Sequence, residues 1–239
     1  MEIMEIIQDA FMYPLDNLKA LVIYAILGII AAIAMGGTIV GMLVGAQANN
    51  ILATGMVGII GMLISFIILL LISGYELDII KYGIRRSTES PSIDFGRQVV
   101  NGVKLFIVQF IYFLVPSIII FILGIFLKNW ILYIIALILF IIFALAVFMA
   151  QCRLANTEDL SSALEINEAI NDISRVGLIK ILSVAIILIA IYAIVLIILG
   201  LIGSQTGIIG YLGQILSGIF QVYMMFAISR ASGLLYSDI

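Results

Sequence analysis

Few residues in this chain of 239 stand where chemistry is possible, and most of those few are uncharged. Gln214, Ser217 and Gln221 recur at helical spacing inside an apolar run. At about 100° per residue they fall within an arc of about 60° and form one polar stripe. Gln109 is another amide in apolar surroundings. Together these four suit either the lining of a path for a small solute or hydrogen bonds between helices. Pro116 removes one backbone hydrogen bond on the same run as Gln109, which gives a hinge or a fixed kink. Glu76 and Asp78 are close carboxylates, the groups that an enzyme acting on lipid would need; two acids at a helix end are also readily just solvated. Lys81, Arg85, Arg86, Arg97 and Lys104 gather in one segment. Such a cluster holds anionic lipid headgroups, or does no more than set topology.

The same inventory excludes much. There is no His and a single Cys, Cys152. An intramolecular disulfide, a Cys/His metal site and a His-dependent nucleophile are therefore ruled out. No catalytic residue, metal or cofactor is expected, and the expectation is a non-enzymatic protein. A net charge of −3 gives no reason to expect a nucleic-acid partner.

Composition supplies the setting. Apolar residues make up 64% of the chain and charged residues 10%, against about 25% charged in soluble domains. The mean hydropathy is +1.32. A chain so apolar belongs in a bilayer. Crossing one takes about 20 mostly apolar residues. Six runs qualify, at about 20–46, 51–75, 105–127, 130–150, 181–203 and 208–228. They are too long and too continuous for barrel strands, so the expected fold is an all-α membrane bundle forming a single domain over 1–239. Short polar breaks at Gln47–Asn50, Lys128–Asn129 and Ser204–Thr206 make each pair an antiparallel hairpin. Ten of the 11 Lys and Arg residues fall on one side, with Lys128 alone on the other. Both termini are therefore expected in the cytoplasm of a multi-pass cell-membrane protein, and every acid falls outside the six runs on that same side. Glu2, Glu5 and Asp9 replace the positive start of a signal peptide, so no cleavage is expected.

Each hairpin follows a segment ending in Lys: Lys19, Lys104 and Lys180. This reads either as a threefold repeat or as what any hairpin protein shows under the charge rule. Two segments are amphipathic. Ile3, Ile6, Ile7 and Ala10 share a face over about 2–12, and Ala163, Ile166, Ile170 and Ile173 share one over about 161–173. Pro14 is expected to end the first helix. Ser162 and Glu165 fit a capping box for the second. Both should lie along the interface, with acidic faces packing against the basic 81–97 segment.

Small residues recur four apart at Gly37, Gly41 and Gly45, and on a neighbouring face at Gly28, Ala32 and Gly36. Such spacing lets helix backbones approach closely. Gly58, Gly61 and Ser65 are the matching surface for tight pairing inside the first hairpin. An interface with a second copy or a membrane partner is the other use of the groove.

Several short motifs point to a known family. They are Gly74-Tyr75 through Arg85-Arg86, Ser90–Phe95, Asn101–Lys104, Ile111-Tyr112 with Pro116, and Gln151–Ala155. On these the chain resembles an uncharacterised prokaryotic, mainly archaeal, membrane family, domain of unknown function four-zero-one-three. The resemblance covers most of the chain. It implies a polytopic membrane protein and carries no activity. The readings left open are a scaffold, assembly or lipid-interacting protein, and a channel or facilitative transporter with a polar path along the sixth run.

Overall fold

In hydrocarbon, backbone polar groups must pair within the chain, so the apolar runs fold as helices. The computed structural model describes residues 1–48, 51–127 and 129–239. Among them stand nine helices: α1 (Ile3–Asp16), α2 (Leu18–Gln47), α3 (Ile51–Ile84), α4 (Phe95–Phe126), α5 (Trp130–Thr157), α6 (Leu160–Ala163), α7 (Ile166–Val176), α8 (Leu178–Gly203) and α9 (Ile208–Tyr236). Six of them, α2–α5, α8 and α9, are long and apolar enough to cross a membrane. The fold is an all-α membrane bundle of three hairpins, α2–α3, α4–α5 and α8–α9. Asn49, Asn50 and Lys128, expected in the first two turns, lie outside the described residues.

Local chemistry sets the helix ends. The Asp94 carboxylate caps α4 by accepting the Arg97 N–H at 3.1 Å. Asp159 caps α6 by accepting from the Ser161 and Ser162 N–H groups. The expected capping box at Ser162 and Glu165 does not form, because Ser162 gives its carbonyl and hydroxyl oxygens to Arg153. A capping box closes instead between Glu2 and Glu5 at the start of α1. Pro14 does not end α1. It sits in the last turn, and Asn17 alone makes the bend into α2. Gly177 joins α7 to α8 at φ +98°, a conformation strained for any residue with a Cβ.

The helices outrun the bilayer. α3 has 34 residues and α4 has 32, about 50 Å each against about 30 Å of hydrocarbon. α3 continues past Tyr75 to Ile84, α4 begins at Phe95 rather than Leu105, and α9 runs on to Tyr236. The surplus gathers at one end with α1, α6 and α7, and carries the charges. Burial concentrates there too: in α9 almost every residue from Phe226 to Tyr236 is buried. α9 is central and touches α1, α2, α3, α5 and α8. Toward the opposite end the helices turn Ile, Leu, Val and Phe outward to lipid.

The acids of α1 and α7 do not meet the 81–97 segment. Asp9 pairs with Arg230 of α9, and Asp172 pairs with Arg153 of α5. Each amphipathic helix lies against the span that carries its cation.

Small residues fix where backbones meet. In the α2–α3 seam, a Cβ on Gly41 would stand 2.6 Å from Val57 and one on Gly45 would stand 2.4 Å from Thr54. Gly58 faces Met42, Gly61 faces Thr38, and Ser65 is buried on α3. Gly36 and Gly37 take no part in that seam, since nothing lies within 4 Å of a Cβ built there. Gly28 instead faces Val222 of α9 at 3.5 Å. The closest approach of α3 to another helix's backbone lies elsewhere, against α4, where Gly74 meets Gln98 and Gly102 meets Leu70.

Candidate functional site

The overrun of α3 and α4 places two charged stripes face to face. Asp78 and Lys81 follow one face of α3 with Arg85 just past its end, and Arg97, Asn101 and Lys104 follow one face of α4. With Glu158 at the end of α5 they line a cavity of about 150 Å³. Arg97 Nη2 donates to Asp78 Oδ2 at 3.0 Å, and Asn101 Nδ2 donates to Asp78 Oδ1 at 3.2 Å. Lys81 pairs with the Glu158 carboxylate. Lys104 Nζ donates to the Glu158 carbonyl at 2.8 Å. The Lys81 ammonium, by hydrogen bond and by charge, holds the Glu158 carboxyl below its ordinary range. The Arg85 side chain makes no hydrogen bond or ion pair among the described residues and is exposed at the rim. Four cations thus face two carboxylates. The lining therefore carries a surplus of positive charge.

Arg86, the fifth member of the sequence cluster, stands elsewhere. α3 has ended, the Arg86 backbone turns at φ +52°, and its guanidinium reaches Ser237 Oγ at 3.0 Å and Asp238 at 2.9 Å. Asp238 also accepts from the Met1 amine at 3.2 Å and from Lys180. One carboxylate therefore ties α1, α3, α8 and the tail after α9. Burial raises its pKa, but the bonds from Lys180 and the Met1 amine outweigh burial and leave it below the ordinary value. A carboxyl depressed in the fold stabilises it above the unfolded pKa of about 3.9, and that contribution is lost as pH falls through the folded value. Asp238→Asn should therefore cost about 1 kcal/mol at pH 7 and progressively less as pH falls below the ordinary carboxylate range. Thermal unfolding of parent and variant across that pH range checks both the size and the sign.

A second cavity, of about 350 Å³, lies on the other side of α3. Glu76 enters it from α3, Gln151 from α5, Tyr192 from α8, and Gln221, Ser229 and Ser232 from α9. Because α3 does not stop at Tyr75, Glu76 stands in the helical extension just past the apolar run rather than at a free helix end. Glu76 and Asp78 do not form a paired site. They are two residues apart, about 200° around the helix, and open into different cavities.

The polar stripe of α9 is used unevenly. Gln214 Nε2 donates to the Gly203 carbonyl at 3.4 Å, across the third hairpin. Ser217 Oγ donates to the Gly213 carbonyl of its own helix at 2.8 Å. Gln221 makes no hydrogen bond among the described residues. Gln214 and Gln221 also line a groove against α2 with Gly28 and Ala32. Gln109 is not near Gln214; it lines a separate cavity of about 340 Å³ between α4 and α5, with Tyr112 and Gln151. Pro116 is buried in an unbroken α4.

Sequence reasoning missed the groups that hold the charged end together. Arg230 is 1% exposed and grips Asp9 through Nε at 2.6 Å and Nη2 at 3.2 Å. Asp172 is equally buried and accepts from Arg153 at 3.0 Å, Arg175 at 2.9 Å and Tyr236 Oη at 3.2 Å. Tyr24 stacks on Tyr75 at 4.1 Å between ring centres and donates to Gln98 Oε1 at 2.5 Å. The only signal in the sequence was that Arg230 and Arg153 stand next to long apolar runs.

Comparison with curated proteins and with solved structures finds no match for this chain. A family does match. The profile described as Protein of unknown function (DUF4013) covers residues 60–204, from the first third of α3 to just past the end of α8, which is more than half of the chain. The long α3–α4 crossing, the Arg97–Asp78 contact and the seat of α6 and α7 all fall inside it, and the chain belongs to this DUF4013 family.

Proposed function

We propose that this is a non-enzymatic, lipid-interacting membrane protein that holds an anionic headgroup at its charged end. The observation that carries the reading is the cavity of Lys81, Arg85, Arg97 and Lys104, with four cations to two carboxylates. Arg85 is uncommitted, and Lys104 is bonded only to a carbonyl. Both are free to meet a phosphate. The excess of Lys and Arg at this end favours a cytoplasmic placement, with both termini on that side of the cell membrane. That leaflet is where anionic lipid gathers. The open space at Gly36 and Gly37 leaves room for a second copy or a partner helix. The separation of Glu76 from Asp78 supports the non-enzymatic part of the reading. Passage of a small solute along α9 ranks second, because only Gln221 of the stripe is without a hydrogen bond among the described residues.

A juxtamembrane cation contributes about 1 kcal/mol toward anionic lipid, which is about fivefold in affinity. Arg85→Gln should therefore weaken retention of a phosphoglycerol lipid about fivefold, measured by native mass spectrometry of the detergent-purified protein. Arg86→Gln should leave retention unchanged and loosen the tail instead. Equal retention by parent and Arg85→Gln would sink the headgroup reading.

A further inference from the structure

The cavity around Glu76 has no role in the headgroup reading, and its chemistry has the opposite sign. Ser232 spends its hydroxyl on the Ile228 carbonyl at 2.7 Å, but four other polar side chains are unspent. Glu76, Gln151, Gln221 and Ser229 make no side-chain hydrogen bond among the described residues, yet all four line the same space. Ser229 is only 6% exposed. Gln221 lies near the midpoint of α9, a helix long and apolar enough to cross a membrane, where an unpaired amide is costly. Glu76 has no Lys or Arg partner among the described residues. Four such groups from three helices, converging on one cavity, are what a bound polar ligand would satisfy.

The walls narrow its class. One carboxylate and a few neutral oxygens are too few for a divalent metal, which takes six to eight oxygens in the case of calcium. The volume of about 350 Å³ is also far beyond a bare ion. Phe148, Tyr192 and Met225 supply aromatic and thioether surface. An ammonium group suits a carboxylate set among aromatic faces. The two Gln amides can donate to a phosphate beside that ammonium. From Gln221 to Ser232 the α9 wall is about 16 Å long, enough for a headgroup with the start of an apolar tail.

We propose that the Glu76 cavity binds the ammonium group of an amphiphile, with Glu76 as the counter-charge and Ser229, Gln151 and Gln221 as hydrogen-bonding partners. The shared chemistry has two sources, a phosphoethanolamine lipid or a free amphiphilic amine.

The test uses the full chain in a nonionic detergent, titrated separately with a phosphoethanolamine lipid, a phosphoglycerol lipid and octylammonium chloride. Binding is read by native mass spectrometry and by thermal shift. In the parent, phosphoethanolamine lipid should bind at least tenfold more tightly than in Glu76→Gln, while phosphoglycerol lipid binds both alike. Octylammonium displacing the lipid from the parent assigns the site to the ammonium alone. Octylammonium binding without lipid binding assigns it to a soluble amine. Since Glu76 has no partner to lose, the unliganded variant should melt no lower than the parent. Should Glu76→Gln fail to fold, Ser229→Ala with Gln221→Leu must weaken the same binding at least threefold. Arg85→Gln should leave the Glu76-dependent difference intact, which separates this site from the phosphate cavity. Equal binding of every ammonium probe with and without Glu76, or no binding of any, overturns the proposal.

Discussion

Asp9→Ala should cost about 3 kcal/mol and lower the melting temperature by about 6–12 °C in a chain of this length. Arg230 is the largest fully buried side chain in the molecule. Its guanidinium holds Asp9 through two bonds, gives Nη1 to the Ser87 carbonyl at 2.5 Å, and stands 4.9 Å over the Tyr13 ring. Removing Asp9 leaves a buried cation with only carbonyls and an aromatic face. Breaking a buried pair by deleting one partner typically costs about 3–5 kcal/mol. The lower end applies here because the Asp9 side chain is 33% exposed and water reaches the site once it is gone. The reciprocal change Arg230→Met leaves Asp9 able to meet water, so its cost should come mainly from the orphaned Ser87 carbonyl, since the Tyr82 carbonyl keeps the Ser87 N–H. The double variant Asp9→Leu with Arg230→Met should recover part of the loss. Equilibrium unfolding in detergent measures all three. A loss below about 1 kcal/mol for Asp9→Ala would show that the pair does not anchor α1 to α9.

The second large effect is expected at the α3–α4 crossing. A Cβ on Gly102 would stand 2.0 Å from the Leu70 carbonyl oxygen, and one on Gly74 would stand 1.9 Å from that of Gln98. Both obstacles are backbone, so no side chain can swing aside. Overpacking a tight core costs about 1–3 kcal/mol, and here two helices must move apart as units. Gly102→Ala should cost about 3 kcal/mol. It should also weaken phosphoglycerol retention, since the Arg97–Asp78 contact spans the same seam. Gly37→Ala is the control. With nothing within 4 Å, the added methyl removes only the helix penalty of glycine, about 1 kcal/mol, and the variant should be neutral or slightly more stable. Should Gly102→Ala and Gly37→Ala melt together, the close approach of α3 and α4 is not what holds this end.

The two predictions lie at different depths of legibility. The spacing of Gly37, Gly41 and Gly45 draws the eye, yet only the latter two meet a neighbour across the first hairpin. Gly74 and Gly102 have no such repeat and are the pair that meets another helix's backbone most closely. Small-residue spacing says that a helix can be approached closely, and not whether another helix comes. Glu76 shows the same gap. It stands one residue past an apolar run, and the length of α3 beyond Tyr75 turns a solvated end into a cavity wall.

Sequence by itself determined what a one-dimensional count can determine. The length and continuity of apolar runs sufficed for six crossing helices and an all-α membrane bundle, and short motifs from Gly74 to Ala155 sufficed for the family. The rest was decided by tertiary structure. Asp9 meets Arg230 across 221 positions, Met1 meets Asp238 across 237, and Gln109 and Gln214 never meet. The cause is physical. Lipid is as apolar as leucine, so a crossing helix can be apolar on every face, and its inward side leaves no periodic mark. Which polar groups share a cavity then depends on how the hairpins turn about one another, and that is fixed only when the helices pack.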